Sequence, residues 1–336
     1  MADRTLLVMP EDTGRPILDA LASARKSILV KMFLFTDPDL VAATIDAHRR
    51  GVKVRVLLNA ARRSGEDDNA DSREKLLAAG VHVKDANPAF ELTHEKSMVV
   101  DGATAFVMSL NWDPKNLTQT RDYAVTTSHG HEVDEVVACF EADWHRKPFA
   151  PGETAHLIWC NANGRERIAR FIDGARESLH VQNERYQDEV IIERLVRARE
   201  RGVKIHVMAK PAHTLKKGKL LEGVGGLRIL QDVGVKVHKV KGLKLHAKTM
   251  LADGVRGIIG SINLAPGSFD HRRELAIEVH EDGVVDRLRH VLHHDWEHSH
   301  PLDLSDEGLL ADLADREEEA EQQLAIEPAR GHRKTK

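Results

Sequence analysis

The sequence predicts an α/β protein built as two tandem α-β-α sandwich repeats, forming a pseudo-twofold bilobal unit. Three observations carry that expectation. The first is an internal duplication: the run from Ala24 to Val30 (ARKSILV) recurs from Ala175 to Val181 (ARESLHV), and Arg50–Val54 recurs as Arg201–Ile205, both at an offset of 151. After a one-residue shift the register continues at 152, matching His94 with His246, Asp101 with Asp253, Asn111 with Asn263 and Asp143-Trp144 with Asp295-Trp296. Chance matches do not hold register over that distance. The second observation is that each copy alternates helical apolar spacing with short buried-strand runs, the pattern of a layered α/β sandwich. The third is length, since 336 residues accommodate two units of ordinary domain size. The expected units are residues 1–151 and 152–303, followed by a charged tail, helical or disordered, over 304–336.

The elements follow in order. Pro16 to Lys26 places Ile17, Leu18 and Leu21 at helical spacing, and Ile28 to Phe35 is an apolar run that reads as a strand. Asp39 to Arg50 is helical again and stops at Gly51, a residue suited to the positive φ that ends a helix. Val52 to Leu58 is nearly continuous in apolar and β-branched residues, as a strand buried on both faces requires. The second copy repeats the order from Arg165 to Met208.

Composition narrows the function classes. Apolar residues make up 41% and charged residues 30%, with a formal net charge of −4, which disfavours indiscriminate nucleic-acid coating. Aromatics are only 4%, so stacking platforms for bases are scarce. No apolar run approaches the ~20 residues of a membrane span. The opening MADRTLLVMPEDTG does not read as a secretory signal. With Cys139 and Cys160 alone, no disulfide framework is expected. The expected location is cytoplasmic, with peripheral contact at a membrane surface.

The chemistry sits in two segments, THEKSMVVDGATAFVMSLN (93–111) and LHAKTMLADGVRGIIGSIN (245–263). Each carries His-x-Lys, then Asp-Gly, then Ser-x-Asn. Asp-Gly between β-prone runs signals a hairpin. A reversal about Gly102 pairs residues whose numbers sum to 205, setting His94 opposite Asn111 and Lys96 opposite Ser109. Imidazole, ammonium, hydroxyl and amide then share one face. The second hairpin does the same with His246, Lys248, Ser261 and Asn263. Two such patches supply what phosphodiester cleavage needs: one imidazole to attack phosphorus, another to protonate the leaving alcohol, and cations and amides for the developing charge. Each imidazole also needs a carboxylate to fix its tautomer, and Asp122 and Glu274 lie eleven residues beyond Asn111 and Asn263.

These paired segments resemble the HKD motifs of the phospholipase D superfamily, a likeness that spans residues 5–303. The resemblance implies the two-repeat phospholipase D fold. It also implies a two-step, metal-independent reaction through a phosphohistidine, with no cofactor. Family precedent makes His94 the nucleophile and His246 the general acid, although the symmetry of the sequence leaves their order open. Asp101 and Asp253 are expected to hold the hairpin turns. The first segment departs once, with Met108 where the family has Gly, so a side chain is expected to crowd the hairpin. The run GSINLAPGSFDHRREL (260–275) resembles cardiolipin-synthase-like bacterial proteins, which implies a phospholipid substrate and hydrolysis or phosphatidyl transfer. The alternative partner is nucleic acid, cut by a nuclease of the same fold. A non-catalytic phosphate-binding scaffold is a third class.

Other features receive blander readings. His290, His293, His294, His298 and His300 read as an exposed helix end rather than a metal site. Trp144 and Trp296 read as core packing, while Trp112 reads equally as pocket lining or hydrophobic lid. Lys236, Lys239, Lys241 and Lys244, and the loop with Lys210, Lys216, Lys217 and Lys219, read as solvated charge, with a substrate-attracting rim as the alternative.

Overall fold

The computed structural model describes residues 3–60, 67–211 and 220–311. The expectations for Lys216, Lys217, Lys219 and the tail over 312–336 lie outside the described residues. Two eight-stranded mixed sheets form the frame. The first runs Arg4–Met9, Thr120–Thr127, Thr104–Met108, Ser97–Val100, Ser27–Met32, Lys53–Leu58, His82–Asp85. Its eighth strand, Lys244–Leu245, comes from the second repeat and lies parallel to Thr120–Arg121. The second sheet repeats the plan around Ser178–Gln182, Lys204–Met208, Thr249–Ala252, Arg256–Gly260 and Leu275–Val279. The α/β fold with two similar halves is as the sequence predicts.

Local chemistry explains the element ends. Pro38–Arg49 starts where Asp37 accepts from the backbone N–H of Leu40 at 2.9 Å, with Pro38 in the first turn, where its missing N–H costs nothing. It ends at Gly51, whose φ of +91° an L side chain rarely adopts. Its buried face, Leu40, Val41, Thr44 and Ala47, joins Ile17, Leu21 and the outward residues of the first sheet in one core. An equivalent outer core serves the second repeat. The third core is shared: Val99, Val107, Tyr123 and Val125 of one sheet meet Leu251, Ile259, Leu275 and Ile277 of the other, with Gly130–Trp144 and Asp282–Glu297 packed alongside. The two halves are therefore joined by apolar burial, not by a linker alone.

The hairpin register differs from the expected one. Ser97 pairs with Val107 and Val100 with Thr104, so opposed numbers sum to 204, not 205. The second hairpin is shifted in the same way, Thr249 pairing with Ile259. The cause is a three-residue turn in which Asp101 and Gly102 both take positive φ, 56° and 65°. Asp101 turns back to accept from the backbone N–H groups of Arg25, Lys26 and Ser27 at 2.6–3.1 Å, and Asp253 does the same with Arg176, Glu177 and Ser178. Losing such charge-assisted bonds costs about 2 kcal/mol. Asp101→Ala is expected to lower the urea midpoint accordingly with an unchanged slope. An unshifted midpoint would remove the turn from the list of stabilising devices.

Three expectations are corrected here. Trp112 neither lines a pocket nor forms a lid; it is fully buried in the first outer core, edge-on to Phe35 at 4.7 Å. Met108 does not crowd the site, because its side chain is buried in the same core. The counterpart glycine, Gly260, is required by its own surroundings, since a Cβ there would meet Leu275 O at 2.3 Å. The tail's first residue, Leu304, belongs to the second core, so packing continues past residue 303.

Candidate active site

The two His-x-Lys segments precede their hairpin strands, in extended chain that the other half of the molecule pins. The backbone N–H of His94 donates to Arg273 O at 2.9 Å, and that of His246 donates to Arg121 O at 3.2 Å. Short parallel bridges, Leu92–Thr93 with Arg272–Arg273 and Lys244–Leu245 with Thr120–Arg121, continue each contact. The sequence places each carboxylate one residue after these arginines, so the bridges carry it to the opposite repeat's histidine. His94 Nδ1 lies 2.9 Å from Glu274 Oε2, and His246 Nδ1 lies 2.8 Å from Asp122 Oδ1. The pairs cross between the halves. Nothing in the spacing of eleven residues foretold the crossing.

The same crossing recurs one residue earlier. Arg273 reaches back to Asp143 with bonds of 3.1 Å, and Arg121 grips Asp295 at 2.8 and 2.9 Å. Beside Asp143, fully buried Lys31 donates to Asp143 at 2.7 Å, to Glu95 at 2.9 Å and to Cys139 Sγ at 3.2 Å. Among the described residues, Glu95, Cys139 and Asp143 are the one convergent set of metal-ligating atoms, and the Lys31 ammonium stands at its centre. Burial opposes the charge on Asp143, but Lys31 and Arg273 outweigh it and hold the carboxyl down at about 2. Burial pushes the Cys139 thiol up to about 12.

The two lysines of the motifs sit beside the imidazoles. Lys96 Nζ donates to His94 O at 2.5 Å, and Lys248 Nζ donates to His246 O and to Glu184. Burial drives Lys96 down to about 7, with Lys248 nearby adding to the fall and Glu274 opposing it. Burial likewise lowers His94 to about 4 against the pull of Glu274, and it lowers His246 against the pull of Asp122.

Ser109 and Ser261 are turned into the protein interior. Both are fully buried; Ser109 Oγ donates to Asp122 at 2.6 Å, while Ser261 Oγ meets the backbone of Leu275. The shifted register sets Ser109 behind Asp122, which it supports in place of substrate, while Ser261 braces the backbone next to Glu274. Asn111 and Asn263 are buried, and the side-chain carbonyl of each lacks a partner. A buried amide left half-satisfied is suited to a polar ligand.

Sequence reasoning missed Glu184. It contacts Lys248 and Lys210, and its Oε2 lies 3.7 Å from His246 Nε2. Its counterpart at the offset of 151 is Phe33, whose ring lies edge-on to His94 at 5.1 Å and beneath Lys96 at 5.2 Å. The available signal was a break in the duplication: an acid in one copy where the other has an aromatic. The histidines of 290–300 lie on the surface, His294 stacked on His298 at 4.2 Å. Among the described residues, no helix is long and apolar enough to cross a membrane.

Residues 17–144 and 168–296 each match the domain family described as cardiolipin synthase, PLD-like domain. Cardiolipin synthase B of Escherichia coli K12 is 26% identical over 320 residues, covering 81% of this chain and 75% of that protein. The crystal structure of phosphatidylserine synthase from Haemophilus influenzae Rd KW20 superposes with a TM-score of 0.73 at 11% identity, covering 96% of this chain and 95% of that one. Polyphosphate kinase from Porphyromonas gingivalis superposes with a TM-score of 0.71 at 17% identity over 95% of this chain, which spans 53% of the kinase. The two structural likenesses are likenesses of fold.

Proposed function

The chain belongs to the phospholipase D superfamily, and from that premise we propose that it cleaves phosphodiesters through a covalent phosphohistidine, acting on phospholipids by hydrolysis or phosphatidyl transfer. The observation that carries the reading is the crossed pair of imidazole–carboxylate bonds flanking Lys96 and Lys248. A carboxylate only accepts hydrogen bonds, so each Nδ1 keeps its proton and each Nε2 is left to act. In the first step, Nε2 of neutral His94 attacks phosphorus. The P–O bond to the headgroup breaks, and the departing oxygen takes the proton from Nε2 of charged His246. In the second step, a water or alcohol hydroxyl gives its proton to His246, its oxygen attacks phosphorus, and the P–N bond breaks. Lys96, Lys248, Asn111 and Asn263 stabilise the charge on the phosphoryl oxygens. No step draws on a metal or cofactor. The names of the relatives, cardiolipin synthase B above all, support phospholipid as substrate, and peripheral contact with a lipid surface is part of the same proposal.

The test is release of headgroup from mixed phospholipid vesicles in EDTA, with plasmid and single-stranded DNA run alongside. Headgroup release that responds to an added second alcohol is expected. DNA nicking with inert vesicles would replace the lipid reading with the nuclease one.

The pH profile has a stated shape. kcat/KM reports the free protein. Activity rises as His94 loses its proton near 4 and falls as His246 loses the proton it must donate, below the ordinary histidine value of 6.5. Above about 7, Lys96 discharges and weakens anion binding further. The optimum is therefore mildly acidic. A profile flat from about pH 5 to 9 would contradict the assigned roles.

A further inference from the structure

The proposed reaction needs two imidazoles in opposite protonation states, yet their carboxylate partners are near-equivalent. Each Nδ1 meets one buried carboxylate at 2.8–2.9 Å, and each adjacent lysine donates to its own histidine's carbonyl. The difference lies in a further neighbour of each ring. His246 has Glu184 Oε2 at 3.7 Å from Nε2, whereas His94 has the ring of Phe33 at 5.1 Å. The two positions are the same place in the duplicated fold, related by the offset of 151.

We propose that Glu184 is the positioning residue that separates the two histidines' roles, retaining on His246 Nε2 the proton it delivers to the leaving group, while Phe33 leaves His94 neutral. The idea rests on the phosphohistidine reading but not on the identity of the substrate. The charged groups facing His246 are Asp122 on Nδ1, Lys248 beside it and Glu184 on Nε2, with Lys210 behind Glu184. The gap of 3.7 Å exceeds a hydrogen bond but lies well within ion-pair range, so the carboxylate attracts the charged ring without sequestering its proton. Lys248 and Lys210 keep Glu184 ionised: burial opposes its charge, and the two ammonium groups hold its carboxyl well below the ordinary value. When the leaving oxygen enters, it finds an Nε2–H already present. Phe33 offers no such acceptor and adds apolar cover that disfavours the imidazolium of His94.

Glu184→Gln keeps the size and removes the charge. The protein is labelled with ¹⁵N-histidine, each resonance is assigned with the His94→Asn and His246→Asn variants, and both imidazoles are titrated. The midpoint of His246 is expected to fall by about one pH unit, while that of His94 stays in place. Lys210→Met removes a cation that competes for Glu184 and leaves Lys248 to keep the carboxylate ionised, so it is expected to move His246 the opposite way. An unmoved His246 in both variants, or equal movement of both histidines, would overturn the proposal, since a merely structural role predicts one of those. The titration needs no substrate. A shifted His246 in a protein inert toward phospholipid would retire the lipid reading and keep this one, and lipid turnover with an unshifted His246 would do the reverse.

Discussion

His94→Ala is expected to lower phosphodiester turnover by at least about a thousandfold, because it removes the atom proposed to form the covalent bond and leaves only charge stabilisation. His94 Nδ1 is committed to Glu274, so Nε2 alone is free to meet phosphorus. The companion variant separates nucleophile from acid. His246→Ala lacks the proton donor, but a 4-nitrophenyl phosphodiester has a leaving group that needs no donor. With that substrate His246→Ala is expected to accumulate an acid-labile phosphoenzyme, and His94→Ala none. Equal trapping in both would mean that the roles have been assigned to the wrong atoms.

The largest expected effect on folding falls on Lys31. Its ammonium and the Arg273 guanidinium balance Glu95 and Asp143 in a buried, net-neutral quartet. Lys31→Met leaves two carboxylates sharing one cation, and breaking a buried pair from one side costs about 3–5 kcal/mol. The second repeat indicates the remedy. At the equivalent positions, 31 + 151 and 95 + 152, it carries Gln182 and Ala247, having neither the lysine nor the acid. The double variant Lys31→Gln with Glu95→Ala is therefore expected to recover most of the loss in urea unfolding. A double variant no more stable than Lys31→Met would show that charge balance is not what the quartet supplies. The pH dependence follows from Asp143, held at about 2 against an ordinary 3.8. Its stabilisation is fully present above the ordinary value and is lost as pH falls through about 2, so wild type and Lys31→Met are expected to converge below pH 4.

The two halves and their alternation of helix and strand were legible because duplication and apolar periodicity are local signals. Ile17, Leu21, Leu40 and Val41 announce their helices whatever lies opposite. His94, Lys96, His246 and Lys248 were legible because two copies at one offset reinforce each other. The hairpin register was not, since a turn with Asp101 and Gly102 both at positive φ adds one residue that Asp-Gly alone does not count. That single residue turns Ser109 toward Asp122 and Ser261 toward the backbone of Leu275. The exchange of carboxylates between halves was illegible for a different reason: it depends on which face of one repeat meets the other, which no spacing encodes. Glu184 lay hidden because a search for likeness passes over the positions where the copies disagree.

The crossed pairs also bear on inheritance. A duplicated gene segment ordinarily frees one copy to drift while the other keeps working. Here a change at Asp122 releases His246, and a change at Glu274 releases His94, each in the other copy. Neither half can shelter the other's errors, so the two stretches behave as a single target for selection. Two of the differences between the copies fit that constraint: Phe33 and Glu184, where the halves perform different tasks, and Lys31 and Glu95, where a loss is matched by a second loss.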